Sequence, residues 1–208
     1  MTVGSQDMLL DHFAVSGETL DAAIDAVETA LGVSMQPGGQ HDVFATHNAL
    51  LGLADGLYLE AIAIDPDAAR PTRPRWFGLD QFYGPARLTN WICRTNDMAD
   101  TLSRLPGGDP VSLQRGDLRW QMAVPADGML PYDNLHPALI TWQSPVHPSS
   151  VLTPSGCVLR RLVVSHPDAG ALRQALSGDF ADPRVVFEPG PAALMAEIET
   201  PHGLRVLR

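Results

Sequence analysis

The sequence repeats one order of local patterns three times: a short apolar run, an amphipathic stretch that ends at glycine, and further apolar runs joined by turn residues. In the first copy, apolar residues spaced three and four apart predict a helix over Leu20–Leu31, with Gly32 as its left-handed cap. The pair Asp55-Gly56 separates two apolar runs and predicts a β-hairpin. A helix that follows a single strand must cover one face of its sheet, which leaves the other face free to form a trough.

The predicted fold class is therefore α+β, with repeated βαβββ modules whose curved mixed sheets enclose a cleft. Stretches rich in proline and glycine separate the copies, because proline extends neither a helix nor a central strand. The first module is predicted over residues 8–70, the second over 86–145 and a third, shorter βα-β module over 156–208, in one compact globular unit. The alternative is an α+β domain without an internal repeat.

Charge and composition argue against several classes of protein. The net charge is −10, the isoelectric point is about 4.9 and Lys and Arg together number 14, which does not suit nucleic acid or an anionic membrane surface as a partner. Cys93 and Cys157 are flanked by aliphatic residues and are predicted to be buried thiols. The sequence shows no signal-peptide pattern and no apolar stretch of the ~20 residues that a membrane span needs, so a cytoplasmic location is expected.

Three residues of the first module are candidates for a shared site. Glu60 is a carboxylate in an apolar strand, which is unfavourable unless it is paired, protonated or bound to a cation. If the hairpin has two central turn residues, Glu60 faces Leu51, and His47 shares that face. His12 begins the first strand, and it projects into the same trough if the first and last strands of the module are neighbours.

Two histidines and a carboxylate with open positions suit Fe(II), Mn(II), Zn(II) or Ni(II). His12, Glu60 and His47 are therefore the expected ligands of a divalent metal ion, and Glu60 and His47 are also the expected catalytic residues. The alternative is that Glu60 pairs with Arg75 or Arg161 and that His12 hydrogen-bonds the backbone.

His41 lies in "PGGQHD", where two glycines predict a loop that either lines the trough or is exposed to solvent. The sequence contains no P-loop, no Gly-x-Gly-x-x-Gly fingerprint and no Gly-x-Ser-x-Gly elbow. Nucleotide binding and serine-based nucleophilic catalysis therefore find no support.

The segments "LDHFAV", "LDAAIDAVETALGV", "PGGQHDVFATHNALLGLADGLYLEAIAIDPDA" and "PRWFGLD" resemble the glyoxalase-like domain family of the vicinal oxygen chelate superfamily. The similarity continues through "WICRTNDM", "PALITWQSPVHPSS" and "GCVLRRLVVSHPD" and covers about residues 9–168. It implies βαβββ modules of the vicinal oxygen chelate type around a metal-binding cleft, with one ligand on the first strand and one on the fourth strand of a module. Those two positions match His12 and Glu60.

Along the same resemblance, Asn90 takes the first-strand position of the second module, Ile140 its fourth-strand position, and Arg161 the first-strand position of the third copy. The four-ligand set of true glyoxalases is therefore absent, and Arg161 suggests anion binding. Asn48 would donate to a substrate oxygen or cap a turn, and Trp76 would wall the cleft or pack between modules. The expected substrate-binding residues are His41, Asn48, Trp76, Asn90 and Arg161.

These expectations lead to one main function and two alternatives. The main function is a glyoxalase-like enzyme whose divalent metal ion (Zn, Fe, Mn or Ni) binds and activates a small oxygenated substrate, in lyase, isomerase or dioxygenase chemistry. The first alternative is a non-catalytic protein of the same fold that binds or sequesters small molecules. The second is a partner-binding protein, with the third copy as a contact in a homodimer.

Overall fold

The computed structural model describes residues 7–208 and divides them into three consecutive βαβββ units. The first unit consists of β1 (Met8–Ser16), α1 (Leu20–Leu31), β2 (Gln36–His41), β3 (Thr46–Leu53) and β4 (Tyr58–Ile64). The second consists of β5 (Arg87–Thr95), α2 (Met98–Leu102), β6 (Asp109–Arg115), β7 (Leu118–Val124), the single turn α3 (Pro131–Asn134) and β8 (Ala138–Trp142). The third consists of β9 (Pro154–Ser165), α4 (Ala169–Leu176), β10 (Val185–Glu188), β11 (Ala193–Thr200) and β12 (Gly203–Leu207).

The strands form one mixed sheet in the order β12-β11-β9-β3-β4-β1-β5-β8-β7-β6, with β10 beside β9 and β2 beside β3. The first two units join through antiparallel pairing of β1 with β5, so one chain builds the whole trough. The sheet is strongly curved. Its curvature brings Arg115 at the end of β6 to Asn48 on β3, to which Arg115 donates a hydrogen bond at 3.1 Å. The predicted class of repeated βαβββ modules in curved mixed sheets is confirmed.

Helix α1 has the bounds that its sequence predicts. Thr19 caps its N-terminus by accepting from the backbone N–H of Ala22 at 3.1 Å. Gly32 ends it in the left-handed region at φ 72°, and its N–H donates to the carbonyl of Glu28. None of the helices in residues 7–208 has the length and apolar character needed to cross a membrane.

The first hairpin has a longer connection than the Asp-Gly pair predicts. Leu53 and Leu57 still pair, since the N–H of Leu53 donates to the carbonyl of Leu57 at 3.0 Å, so three residues make the turn. Asp55 and Gly56 both adopt left-handed backbone conformations, at φ 59° and 72°. The extra turn residue shifts the register of β3 against β4 by one position from the expected one.

Side chains alternate between two apolar clusters on the two faces of the sheet. The convex face carries Phe13, Leu59 and Trp91 beneath the helices, in one cluster of buried residues. The concave face carries Ala14 and Ile62 in a second cluster, together with aromatic residues that surround the trough. Because successive side chains of a strand point to opposite faces, the neighbours of a polar residue along its strand tell whether it lies on the concave or the convex face.

The third unit packs over the convex face of the second. Trp91 of β5 lies 5.3 Å from the ring of Phe180 and 6.1 Å from that of Phe187. Helix α2 has five residues, against twelve in α1 and eight in α4. Because the third unit already covers this face, a long helix in the second unit is not needed there.

Candidate active site

His12 and Glu60 meet on the concave face of the first unit. The strands β1 and β4 are parallel neighbours in which His12 lies opposite Tyr58 and Ala14 opposite Glu60, so these side chains share one face. Nε2 of His12 lies 3.7 Å from Oε2 of Glu60, and the two residues are 4% and 5% exposed. An imidazole and a carboxylate are therefore held side by side, away from bulk solvent.

His47 lies on the other face of the same hairpin. Leu50, not Leu51, is the partner of Glu60, and His47 pairs with Ala63. Because side chains alternate along a strand, the shift of one residue turns the whole of β3 over. The expectation that His47 shares a face with Glu60 is wrong, and the neighbouring residue Asn48 takes that place.

A β-bulge brings Asp11 and His12 together. The pairing of β1 with β5 shifts between Leu10 and His12, so Asp11 is an extra residue on its strand. In a regular strand, adjacent side chains point to opposite faces. At this bulge, Oδ1 of Asp11 instead accepts a hydrogen bond from Nδ1 of His12 at 2.6 Å.

Asp11 is the centre of a hydrogen-bond network behind His12. Its Oδ2 atom accepts from Nε1 of Trp142 at 3.0 Å and from Nε2 of His147 at 2.9 Å. The backbone N–H of Ser149 donates to Nδ1 of His147, which keeps the proton of His147 on Nε2. His147 belongs to the segment between β8 and β9, so its hydrogen bond to Asp11 attaches the connection between the second and third units to the site.

The network keeps Asp11 ionised. Its burial raises the pKa, but the hydrogen bonds from His12 and His147 and the charges of these two rings outweigh that effect and hold the pKa well below the usual range. Arg94 adds positive charge at 3.5 Å from Oδ2. An ionised Asp11 keeps a proton on Nδ1 of His12 and leaves Nε2 as the atom that can exchange protons in the cavity.

Asn48 fixes the orientation of Glu60. Its Nδ2 donates to Oε1 of Glu60 at 2.5 Å, and its Oδ1 accepts from the N–H of Gly39 at 2.8 Å and from Arg115 at 3.1 Å. Nδ2 also lies 3.4 Å from Nε2 of His41. Both Nδ2 and Oδ1 of Asn48 therefore bond to protein groups. Asn48 is thus a positioning residue for Glu60.

His41 and Trp76 form one wall of the site. Nδ1 of His41 bonds Oγ1 of Thr46 at 3.0 Å, and the ring meets that of Trp76 edge-on at 5.0 Å. Burial lowers the pKa of His41 to about 3, with the positive charge of Arg115 adding to the effect. His41 is consequently neutral at physiological pH, and it lies at the end of β2 rather than on an exposed loop.

Asn90 and Arg161 lie outside this group. The side-chain amide of Asn90 donates to the carbonyl of Asn134 at 3.3 Å, where it supports a turn. Arg161 on β9 forms ion pairs with Glu188 and Glu197 of its own unit. Neither residue lines the cavity that His12 and Glu60 share.

The position in the second unit that corresponds to Glu60 is also different from the expected one. Ala14 faces Glu60 across β1 and β4, and Ile92 faces Ala138 across β5 and β8. The equivalent of Glu60 is therefore Ala138, and the placement of Ile140 there is wrong by two residues. Neither side chain carries a ligand atom.

The cavity between these residues has a volume of about 30 Å³, which is room for roughly two water molecules. Tyr58 stacks on His12 at 4.3 Å, and its burial raises its pKa well above the usual range. Among the residues that form or support the cavity, sequence reasoning gave no role in it to Asp11, Tyr58, Arg115 and His147.

A model of a protein family described as "Glyoxalase-like domain" matches residues 10–180, which is most of the chain. The chain belongs to the glyoxalase-like domain family. This result confirms the resemblance that the motifs over about residues 9–168 indicate. Comparison with curated proteins finds no match for this chain.

Among solved structures, a hypothetical protein from Staphylococcus aureus has a TM-score of 0.62 and 14% identity, and the match covers 89% of this chain and 88% of that one. The two proteins therefore share a fold. Methylmalonyl-CoA epimerase from Mycobacterium tuberculosis has a TM-score of 0.43 and 18% identity, over 68% of this chain and 91% of that one.

The glyoxalase-like fold implies a divalent metal, so the side chains must be tested as ligands. His12 and Glu60 offer two donor groups, whereas a catalytic zinc site takes three ligands from the protein. In residues 7–208, no three His, Cys, Asp or Glu side chains are arranged to hold a metal ion. The residues present therefore do not fit a resident metal, and the set of His12, Glu60 and His47 is not assembled.

Two glycines on β2 make room for the residues that position Glu60. A Cβ atom at Gly38 would overlap the side-chain oxygen of Asn48, and one at Gly39 would lie 2.5 Å from Cδ of Arg115. The pairing of β2 with β3 is irregular at the same place, between Pro37 and Gln40. The "PGGQHD" motif of this glyoxalase-like chain thus contains a bulge, and its two glycines leave space for the side chains of Asn48 and Arg115.

We expect Gly38→Ala to destabilise the protein by about 1–3 kcal/mol, because the new methyl group displaces Asn48 from Glu60. Urea unfolding at neutral pH measures the effect. Gly170→Ala is the matched control, since a Cβ at Gly170 in α4 meets nothing within 4 Å. Equal stability of Gly38→Ala and wild type would contradict the role given to this glycine.

Proposed function

We propose that this chain is a glyoxalase-like enzyme that moves a proton on a small oxygenated substrate. The observation that carries the proposal is the pair formed by Nε2 of His12 and Oε2 of Glu60, 3.7 Å apart in a buried cavity. Asp11 orients one member of the pair and Asn48 the other. Such oriented acid–base pairs are typical of proton transfer in enzymes.

In the proposed reaction, Glu60 accepts a proton from a carbon atom next to a carbonyl group. Asn48 holds Oε1 of Glu60, which leaves Oε2 to face the substrate and His12. Nε2 of His12 exchanges the proton with Glu60 or with a substrate oxygen, while Asp11 stabilises the charged imidazole. Some isomerase reactions and some lyase reactions begin with a step of this kind.

A divalent ion (Zn, Fe, Mn or Ni) is the cofactor that the family resemblance implies. His12 and Glu60 are the two donors that such an ion would contact, and a carboxylate behind a histidine, like Asp11 here, is common at metal sites. Because two donors fall short of a ligand set, the proposed reaction assigns no step to a metal.

The second candidate is a binding protein that holds a small molecule in the same cavity without changing it. The cavity supports this candidate because most of its wall is apolar or aromatic, which is typical of ligand-binding sites. A homodimer and a cytoplasmic location remain predictions.

Chelator-treated protein should catalyse exchange of hydrogen for deuterium at carbon atoms next to a carbonyl group, measured by NMR in D₂O. Addition of Zn, Fe, Mn or Ni should leave both the exchange rate and the melting temperature unchanged, since a third ligand is missing. Exchange that requires an added metal would contradict the proposed reaction. A ligand that raises the melting temperature without exchange would favour the binding protein.

A further inference from the structure

Trp76 presents a hydrogen-bond donor that no protein group uses. Its Nε1 atom is buried and has no acceptor among residues 7–208, and the side chain lines the cavity next to His41. A buried N–H without an acceptor is unfavourable, because it has lost water and gained no bond in return. An oxygen atom of a ligand would restore that bond.

Arg115 brings a positive charge to the same cavity. One of its guanidinium N–H groups donates to Asn48 at 3.1 Å, and it forms no ion pair with any Asp or Glu in the described part of the chain. Arginine has five N–H donors in a planar arrangement that matches a carboxylate. Most donors of Arg115 are therefore available to a ligand, and Gly39 provides the space in which the side chain lies.

The remaining walls restrict the size of the ligand. Leu50, Phe77 and Ile140 contribute apolar surface, and a cavity of about 30 Å³ admits a ligand with the six heavy atoms of pyruvate only when the side chains around it move. The site therefore combines a cation and a base within a small space, beside a tryptophan whose buried N–H has no acceptor in residues 7–208. A compact molecule with a carboxylate, a second oxygen and an acidic C–H bond complements all three.

We propose that the cavity binds a short 2-oxo acid, with its carboxylate on Arg115 and its 2-oxo oxygen on Nε1 of Trp76. This inference rests on the proposed function and names its substrate class. Glu60 then removes a proton from C3: the C3–H bond breaks, the proton moves to the Glu60 carboxylate, and the electron pair forms the C2=C3 bond. The 2-oxo oxygen becomes an enolate oxygen, and return of the proton to C3 restores the acid.

The inferred arrangement stabilises the charge where it develops. As C3 loses its proton, negative charge grows on the 2-oxo oxygen, and a hydrogen bond from Nε1 of Trp76 stabilises that charge. The carboxylate charge stays on Arg115 throughout and serves to hold the molecule in place. No oxidant or second reactant is consumed.

Pyruvate is the probe, and methyl pyruvate is its neutral counterpart. Isothermal titration calorimetry on wild-type protein should show pyruvate binding about 10- to 100-fold more tightly than methyl pyruvate, the range expected for a charged hydrogen-bonded pair. Arg115→Gln should remove this preference, and Arg115→Lys should restore part of it, which separates loss of charge from a failure to fold. Arg119→Gln, a change at an exposed residue of β7, should behave as wild type.

Trp76→Phe tests the second contact, because phenylalanine keeps an aromatic ring against Phe44 but lacks the N–H donor. It should weaken pyruvate about five- to tenfold and leave acetate, which has no 2-oxo oxygen, unchanged. Equal affinities of wild type and Arg115→Gln for pyruvate would overturn the inference, and so would equal binding of pyruvate and methyl pyruvate.

The two proposals fail in different ways. Pyruvate binding that depends on Arg115, without deuterium exchange at its methyl group, would support the anion site, overturn the proton transfer from C3 and contradict the proposed enzyme. Exchange on neutral carbonyl compounds, without binding of pyruvate, would support the enzyme and overturn the 2-oxo acid. Each assay therefore gives its result independently of the other.

Discussion

Replacing Glu60 by glutamine should lower the rate of deuterium exchange by about 10²- to 10⁴-fold, the usual contribution of a general base. Glutamine has the shape of glutamate, and its amide oxygen can still accept from Nδ2 of Asn48. Its NH₂ group can donate to Nε2 of His12, which lies 3.7 Å from the present Oε2. The fold should therefore persist while the group that accepts the proton is lost.

Glu197→Gln is the matched control for this substitution. Glu197 lies on β11 and pairs with Arg161 at 3.6 Å, away from the cavity. Exchange by this variant should equal that of wild type within a factor of about two, since a partly exposed ion pair contributes little. A Glu60→Gln variant that folds and exchanges as fast as wild type would show that another group accepts the proton.

Replacing Asp11 by asparagine should destabilise the protein by about 3–5 kcal/mol at neutral pH, measured by urea unfolding. Asp11 is fully buried and accepts from His12, Trp142 and His147. Asparagine has one acceptor oxygen in place of two, so at least one buried donor loses its partner. The loss should be far larger than that caused by Asp133→Asn, which affects a carboxylate whose side chain is 72% exposed beside His166.

The effect of Asp11 should also depend on pH with a definite sign. Its pKa in the folded protein is lowered, so the unfolded chain binds the proton first as the pH falls. The stabilisation is fully present above the unfolded pKa of about 3.9 and is lost as the pH falls through the folded value. The difference between wild type and Asp11→Asn should therefore shrink as the pH falls below about 4. A constant difference down to pH 2 would contradict this assignment.

The sequence contains enough information for the elements of the fold, because helices and turns depend on local patterns. The apolar spacing of Leu20–Leu31 and the glycine at its end predict α1 with the observed bounds. The register of the first hairpin, in contrast, cannot be predicted from local patterns alone. A turn of two residues and a turn of three both accept Asp-Gly, and the choice between them decides whether His47 or Asn48 enters the cavity.

The support of the site depends on contacts that no local pattern reveals. His147 and Trp142 reach Asp11 from more than 130 positions away in the chain, and only the completed sheet brings them together. Arg115 is the last residue of β6, next to the turn that leads into β7. It is a neighbour of Asn48 only because the sheet is curved. The glycine pair before His41 was the one local signal that such a close approach occurs.

The position of the third unit separates the stability of this chain from its chemistry. Phe180 and Phe187 of that unit lie against Trp91, and apolar side chains of α4 and β11 belong to the same buried cluster. Covering Trp91 requires an apolar surface and no ionisable group. Arg161 accordingly pairs with Glu188 and Glu197 within its own unit and stays outside the cavity.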